Sequence, residues 1–178
     1  MIYVKDHGFV DTPSSSQQFK IIKGVTKAIS IAKKLGYRVI IISNQPGMAK
    51  GYYDKKTFNK IREKMHKEFL RSNVTIDDEF YCFHHPNAKL AEYKKKCSCR
   101  KPGIGLIKKA SKFHDLDLKR SYFIGDGIVD MITAKNAGCK SIFVGNINLT
   151  VTKLFSKENI HPEYIAHDLL DAVSFIDK

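Results

Sequence analysis

The stretch YRVIIISNQPG, residues Tyr37 to Gly47, decides the fold. Tyr37 to Ser43 is a nearly continuous β-branched run without alternation, the pattern of a strand buried on both faces of a parallel sheet. Ser43, Asn44 and Gln45 close the strand with a hydroxyl and two amides, and Pro46-Gly47 turns the chain away. Before it, Gly24 to Leu35 carries Val25, Ala28, Ile29, Ile31 and Ala32 at helical spacing, and Gly36 follows where a helix C-terminal glycine belongs. After it, Asp54 caps a predicted helix running to about Ser72. A strand over Glu79–Phe83, a helix over Ile104–Phe113, a strand over Ser121–Ile124, a helix over Ile128–Ala137 and a strand over Ser141–Val144 follow, and Asp168 caps a last helix. Alternation of this kind predicts an α/β fold, a doubly wound Rossmann-like parallel sheet whose ligands sit beyond the carboxyl ends of the strands. No repeat, low-complexity tract or linker interrupts it, so residues 1–178 are expected to form a single domain.

Composition narrows the function classes. The chain has 178 residues, 43% of them hydrophobic, enough for a real core. No apolar run approaches the length of a membrane span, and the first residues lack a secretory layout, so a cytoplasmic protein with no membrane partner is expected. The net charge of +13 is spread over predicted helix faces, through residues such as Lys27, Lys33, Lys56, Lys60 and Lys67. No nucleic-acid module accompanies that charge, which therefore predicts a solvated basic surface or affinity for small phosphorylated anions, without specific nucleic-acid binding.

Three of the four cysteines, with two adjacent histidines, fall in a lysine-rich loop of about residues 81–101. Cys82, His84, Cys97 and Cys99 offer three thiolates and an imidazole, the donor set of a closed tetrahedral zinc site. The bland alternative is three ordinary thiols and a surface imidazole; clustering within eighteen positions of a cytosolic chain favours the metal. Between the pairs, His85 to Lys96 shows no apolar pattern, so a structural ion is expected to replace the missing core there. His85 reads as a spare, surface or supporting group, and Cys139 as ordinary core.

Three strand-end motifs complete the pattern: Ser43-Asn44-Gln45, Arg100-Lys101-Pro102, and Gly125-Asp126-Gly127-Ile128-Val129-Asp130. Their order resembles the haloacid dehalogenase-like (HAD) phosphatase superfamily. The Cys-x-His and Cys-x-Cys-Arg-Lys-Pro loop narrows the resemblance to the group holding heptose 1,7-bisphosphate phosphatases and histidinol phosphatases. Asp6-His7-Gly8-Phe9-Val10 and the long zinc loop look more like the heptose enzymes, as does Asn44-Gln45-Pro46-Gly47-Met48-Ala49-Lys50-Gly51. The resemblance implies Mg²⁺-dependent removal of the 7-phosphate of a phosphorylated sugar by a monomer. Ser43 would donate to the transferring phosphoryl group, Lys101 would neutralise its charge, and Asp126 would hold Mg²⁺. Asp6, His7, Gly8, Phe9, Asn44, Gln45 and Arg100 would contact substrate. Asp130 would support Asp126 or cap the next helix, and Gly127 stands where the heptose enzymes commonly have lysine.

The family's Asp-x-Asp-Gly motif, nucleophile and acid/base, would fall before Met1 on this alignment. Asp6 is a weak substitute nucleophile, because the residue two further on is Gly8. Impaired turnover is therefore expected of this chain, with a noncatalytic sugar-phosphate or partner binder and a histidinol-phosphate phosphatase as the alternatives. Ile2 to Val4 is expected to occupy the strand position otherwise filled by that motif.

Overall fold

The structure is a computed structural model that describes residues 13–178; the expected Ile2–Val4 strand and the Asp6–Phe9 substrate segment lie outside the described residues. The chain divides into two compact units, one ending at Cys97 and the other running from Ser98 to Lys178.

In the first unit, α1 (Val25–Lys34) leads to β1 (Ile40–Asn44), α2 (Lys55–Arg71) and β2 (Asp78–Cys82). Val25, Ala28 and Ile29 bury one face of α1, and Gly36, at φ 84°, ends the helix in a left-handed conformation that costs glycine nothing. The side chain of Asp54 accepts the Thr57 N–H, so the expected cap of α2 forms. β1 and β2 pair in parallel with Ser43 opposite Tyr81 and Asn44 opposite Cys82. The strand is shorter than the β-branched run suggested. Its start is displaced because Val39 spends its backbone on Asp77: the Val39 N–H donates to the Asp77 carboxylate and its carbonyl accepts the Asp77 N–H. Every residue of β1 is half-buried rather than buried, and among the described residues it has a strand neighbour on one side only.

Packing of α2 on β2 is tied by one carboxylate. Glu79, 8% exposed, receives Arg62, His66 and the Tyr81 hydroxyl, and the Arg62 guanidinium also lies over the rings of Phe58 and Tyr81. Burial pushes the Glu79 carboxyl up, but the hydrogen bonds from Arg62, Tyr81 and His66 outweigh it and hold the group below its usual range. Burial, then the hydrogen bond to Glu79 and its charge, push the Tyr81 phenol in the opposite direction, far above its ordinary value. A carboxyl with a depressed folded-state pKa stabilises fully above its unfolded value, about 4.3, and loses that stability as pH falls through the folded value. Glu79→Gln should therefore lose about 1–2 kcal/mol near pH 7 in urea unfolding and none below the folded pKa, with a flattened acid limb as the signature.

The second unit carries α3 (Gly105–His114), β3 (Tyr122–Gly125), α4 (Ile128–Ala137), β4 (Lys140–Val144), α5 (Leu149–Glu158), β5 (Tyr164–Ala166) and α6 (Leu169–Ile176). Its sheet is parallel in the order β3-β4-β5. Alternation along β4 divides the core: Phe143 packs with Met131, Phe155 and Ile160 beside α4 and α5, whereas Ile142 and Val144 pack with Ala166 and Ala172 toward α6. Helices thus cover both faces of this sheet, as a doubly wound fold requires. β3 is half-buried and, like β1, has a strand neighbour on one side only among the described residues. α4 and the Asp168-capped α6 match the expected helices, while α5 and β5 had no counterpart in the sequence reading. No described helix is long and apolar enough to cross a membrane.

Candidate active site and metal centre

The carboxyl end of β1 places a hydroxyl within a short relay. Gln45 Nε2 donates to Ser43 Oγ at 3.0 Å, and the Tyr53 hydroxyl donates to Gln45 Oε1 at 2.9 Å. The Gln45 N–H donates to the Cys82 carbonyl at 2.8 Å, extending the strand pairing past Asn44. Beyond Pro46 the chain makes a tight turn, with Lys50 N–H on the Pro46 carbonyl and Tyr52 N–H on the Gly47 carbonyl. Met48 and Ala49 are buried by this turn, and Met48 joins Tyr53 and Phe58 in a cluster flanked by Tyr81, Phe83 and Tyr93.

In the second unit, Lys101 and Asp130 form an ion pair at 2.5 Å, with side chains only 13% and 12% exposed. The other Asp130 oxygen accepts the Gly127 N–H at 3.1 Å, so one carboxylate caps the start of α4 and anchors the lysine. Glycine at 125 is required for this: a Cβ there would stand 2.4 Å from that of Asp130. Lys101 Nζ also sits 5.7 Å from the centre of the Phe123 ring. Asp126 lies immediately beyond β3 and is exposed. An exposed carboxylate suits Mg²⁺, which keeps several waters and uses one or two carboxylates together with phosphate oxygens. Arg100 is half-buried, and its carbonyl accepts the Gly103 N–H. Sequence reading gave Asp130 its capping role but missed its pairing with Lys101, and it missed Tyr53 altogether.

All four expected zinc ligands come together. The Sγ of Cys82 is 3.7 Å from that of Cys97 and 3.8 Å from Nδ1 of His84, and the four ligand atoms, Cys99 included, lie within 4.8 Å of one another. Ligands about 2.0–2.3 Å from a tetrahedral ion stand roughly 3.5–3.8 Å apart, so the cluster can hold Zn²⁺. Burial and then the charge of Lys95 lower the His84 pKa, favouring the neutral imidazole that a metal needs. His85 plays a different part: its Nδ1 accepts the Asn87 N–H, and its own N–H donates to the Tyr93 carbonyl. Cys139 is half-buried, and burial raises its thiol pKa.

The loop between the ligand pairs is more ordered than its polarity suggested. Lys89 and Leu90 both donate N–H groups to the Ala49 carbonyl, Ala88 is buried, and Ala91–Tyr93 forms a 3₁₀ turn that sets Tyr93 against the aromatic cluster. One buried alanine and one tyrosine anchor are too sparse to register as a sequence period.

Residues 98–172 match the HAD-hydrolase-like family model. The chain is 31% identical over 173 residues to the D-glycero-beta-D-manno-heptose-1,7-bisphosphate 7-phosphatase of Haemophilus ducreyi, covering 97% of this chain and 91% of that protein. It is 34% identical to the enzyme of that name from Escherichia coli K12, over 76% of this chain and 70% of the other. Among solved structures, the D,D-heptose 1,7-bisphosphate phosphatase of B. bronchiseptica, complexed with magnesium and phosphate, superposes with a TM-score of 0.78 at 27% identity, covering 96% of this chain and 89% of that one. With the Haemophilus ducreyi and B. bronchiseptica similarities extending along nearly all of its length, the chain belongs to the HAD phosphatase superfamily, within the family of D-glycero-beta-D-manno-heptose-1,7-bisphosphate 7-phosphatases.

Proposed function

We propose that the protein is a Mg²⁺-dependent phosphatase for a phosphorylated sugar, releasing the 7-phosphate of D-glycero-D-manno-heptose 1,7-bisphosphate. The observation that carries this reading is the 31% identity to a 7-phosphatase across 97% of the chain. Chemistry of the side chains supports it. Ser43 supplies a hydroxyl donor to a phosphoryl oxygen, and Lys101, fixed by Asp130, presents a positive charge with little freedom to move. Arg100 has the planar fork that pairs with a second phosphate. Asp126 is the carboxylate for Mg²⁺, which when bound neutralises phosphate charge. Cys82, His84, Cys97 and Cys99 hold a structural Zn²⁺ that shapes the loop and takes no part in the reaction.

One experiment tests the enzyme. Phosphate release from heptose 1,7-bisphosphate in Mg²⁺, absent with histidinol phosphate and reduced at least about 100-fold by Asp126→Ala, is the result expected of the enzyme. Calorimetric binding of the bisphosphate with no release of phosphate overturns the enzyme in favour of a noncatalytic binder.

A further inference from the structure

A hydroxyl serves a phosphoryl oxygen only if its proton points there. Three residues of the first unit decide where the Ser43 proton goes. A primary amide has donors at one end and an acceptor at the other. Because the Tyr53 hydroxyl donates to Gln45 Oε1 at 2.9 Å, the amide is turned so that Nε2 donates to Ser43 Oγ at 3.0 Å. One lone pair of Oγ is then occupied, and the serine proton is left with a contact of 3.4 Å to the Asn44 carbonyl, long for a hydroxyl donor. A phosphoryl oxygen competes with that contact easily. Were the amide reversed, its oxygen would accept the serine proton and take the donor away from phosphate.

Tyr53 is built for this task. Its ring is 8% exposed, stacks on Phe58 with centroids 6.3 Å apart, and lies so close over Gly47 that a Cβ there would stand 2.2 Å from Cε1. Phe58 in turn meets Tyr81 and Phe83 edge-on, each at 5.0 Å. Only the hydroxyl end of Tyr53 reaches the polar relay.

We propose that Tyr53 is a positioning residue for phosphate recognition, acting through Gln45 to aim the Ser43 hydroxyl. This rests on the assignment of Ser43 as a phosphate donor made above. It predicts a dependence that ordinary packing does not produce: the Tyr53 hydroxyl matters only while Ser43 carries an oxygen. The test is a double-mutant cycle on the affinity for inorganic phosphate in Mg²⁺, measured by calorimetry on the full chain, which does not depend on turnover. Ser43→Ala should weaken binding about 10-fold, as expected for a lost hydrogen bond to a charged group. Tyr53→Phe, which keeps the ring, should weaken it about 5-fold in the native background and by less than about 1.5-fold in Ser43→Ala. Equal losses in both backgrounds, or a loss under about twofold in the native one, overturn the relay while leaving the phosphate site standing. Absence of phosphate binding by the unsubstituted chain overturns the phosphate site itself, and the relay with it.

Discussion

Lys101→Met is expected to destabilise the protein by about 3 kcal/mol or more, and to reduce phosphate release at least about 100-fold wherever release is measurable. Two effects are combined in that substitution. Asp130 has two oxygens to satisfy in a site where it is 12% exposed, and its partners are the Gly127 N–H and the Lys101 ammonium. Removing the ammonium leaves a largely buried charge with a single backbone donor, which costs far more than the pair contributes when intact. The carboxylate cannot swing into solvent without releasing the first turn of α4, because the same group caps that helix. Asp130→Asn should cost less, since the amide oxygen can still accept the Gly127 N–H and Lys101 keeps its contact with the Phe123 ring. Removing both charges, in Lys101→Met with Asp130→Leu, should recover part of the stability lost in Lys101→Met alone, because no unpaired charge remains. Urea unfolding of the three variants reads the sequence of effects directly. If Lys101→Met loses less than about 1 kcal/mol, the pair is a solvent-screened surface contact and cannot be what holds the lysine in place.

How much of this was legible in advance depended on whether the signal was local. The cap of α2 is one residue and its N–H three positions on, and Asp54 was readable as such. The zinc ligands sit in two tight pairs of distinctive chemistry, and their convergence followed from donor type and clustering within eighteen positions. β2 lies one residue earlier than expected and β3 one later, since composition marks the apolar centre of a strand better than its ends. α5 escaped because its apolar residues do not all face inward: Leu149 is 70% exposed and Phe155 is the helix's buried residue. β5 has three residues, too few for any period to show. The two pairings that organise the candidate site were out of reach for another reason. Gln45 with Tyr53, and Lys101 with Asp130, join residues 8 and 29 positions apart through side-chain direction, which spacing does not encode. Reading Asn44 to Gly51 as a motif stopped two residues short of the tyrosine that orders it.

Stripping the metal from the Cys82, His84, Cys97 and Cys99 cluster should give the other large effect. A metal present at a thousand times its Kd contributes about 4 kcal/mol of stability, and structural zinc binds tightly enough to reach that ratio at micromolar levels. For a chain of this size the corresponding loss in Tm is about 8–16 °C. The damage should be graded along the loop. Cys97 and Cys99 are ligands themselves and the residues beside them should follow the ion, whereas Lys89, Leu90 and Tyr93 stay tied to the Ala49 carbonyl and the aromatic cluster. Hydrogen exchange should therefore rise steeply across 94–99 on chelation and modestly across 88–93. Loss of the ion should also reach phosphate recognition, because the Cys82 carbonyl holds the Gln45 N–H and Gln45 in turn orients Ser43. Cys82→Ser is expected to reproduce the chelated protein in thermal unfolding. His85→Ala should retain a full equivalent of zinc, because its Nδ1 is engaged with the Asn87 N–H, and Cys139→Ser should retain it because that thiol is outside the cluster. Cobalt substitution supplies the geometric check: a tetrahedral Co²⁺ spectrum with strong thiolate charge transfer is expected of three sulfurs and one nitrogen. A protein that takes up less than half an equivalent of Zn²⁺, or yields an octahedral Co²⁺ spectrum, would show that the four side chains converge without forming a metal centre.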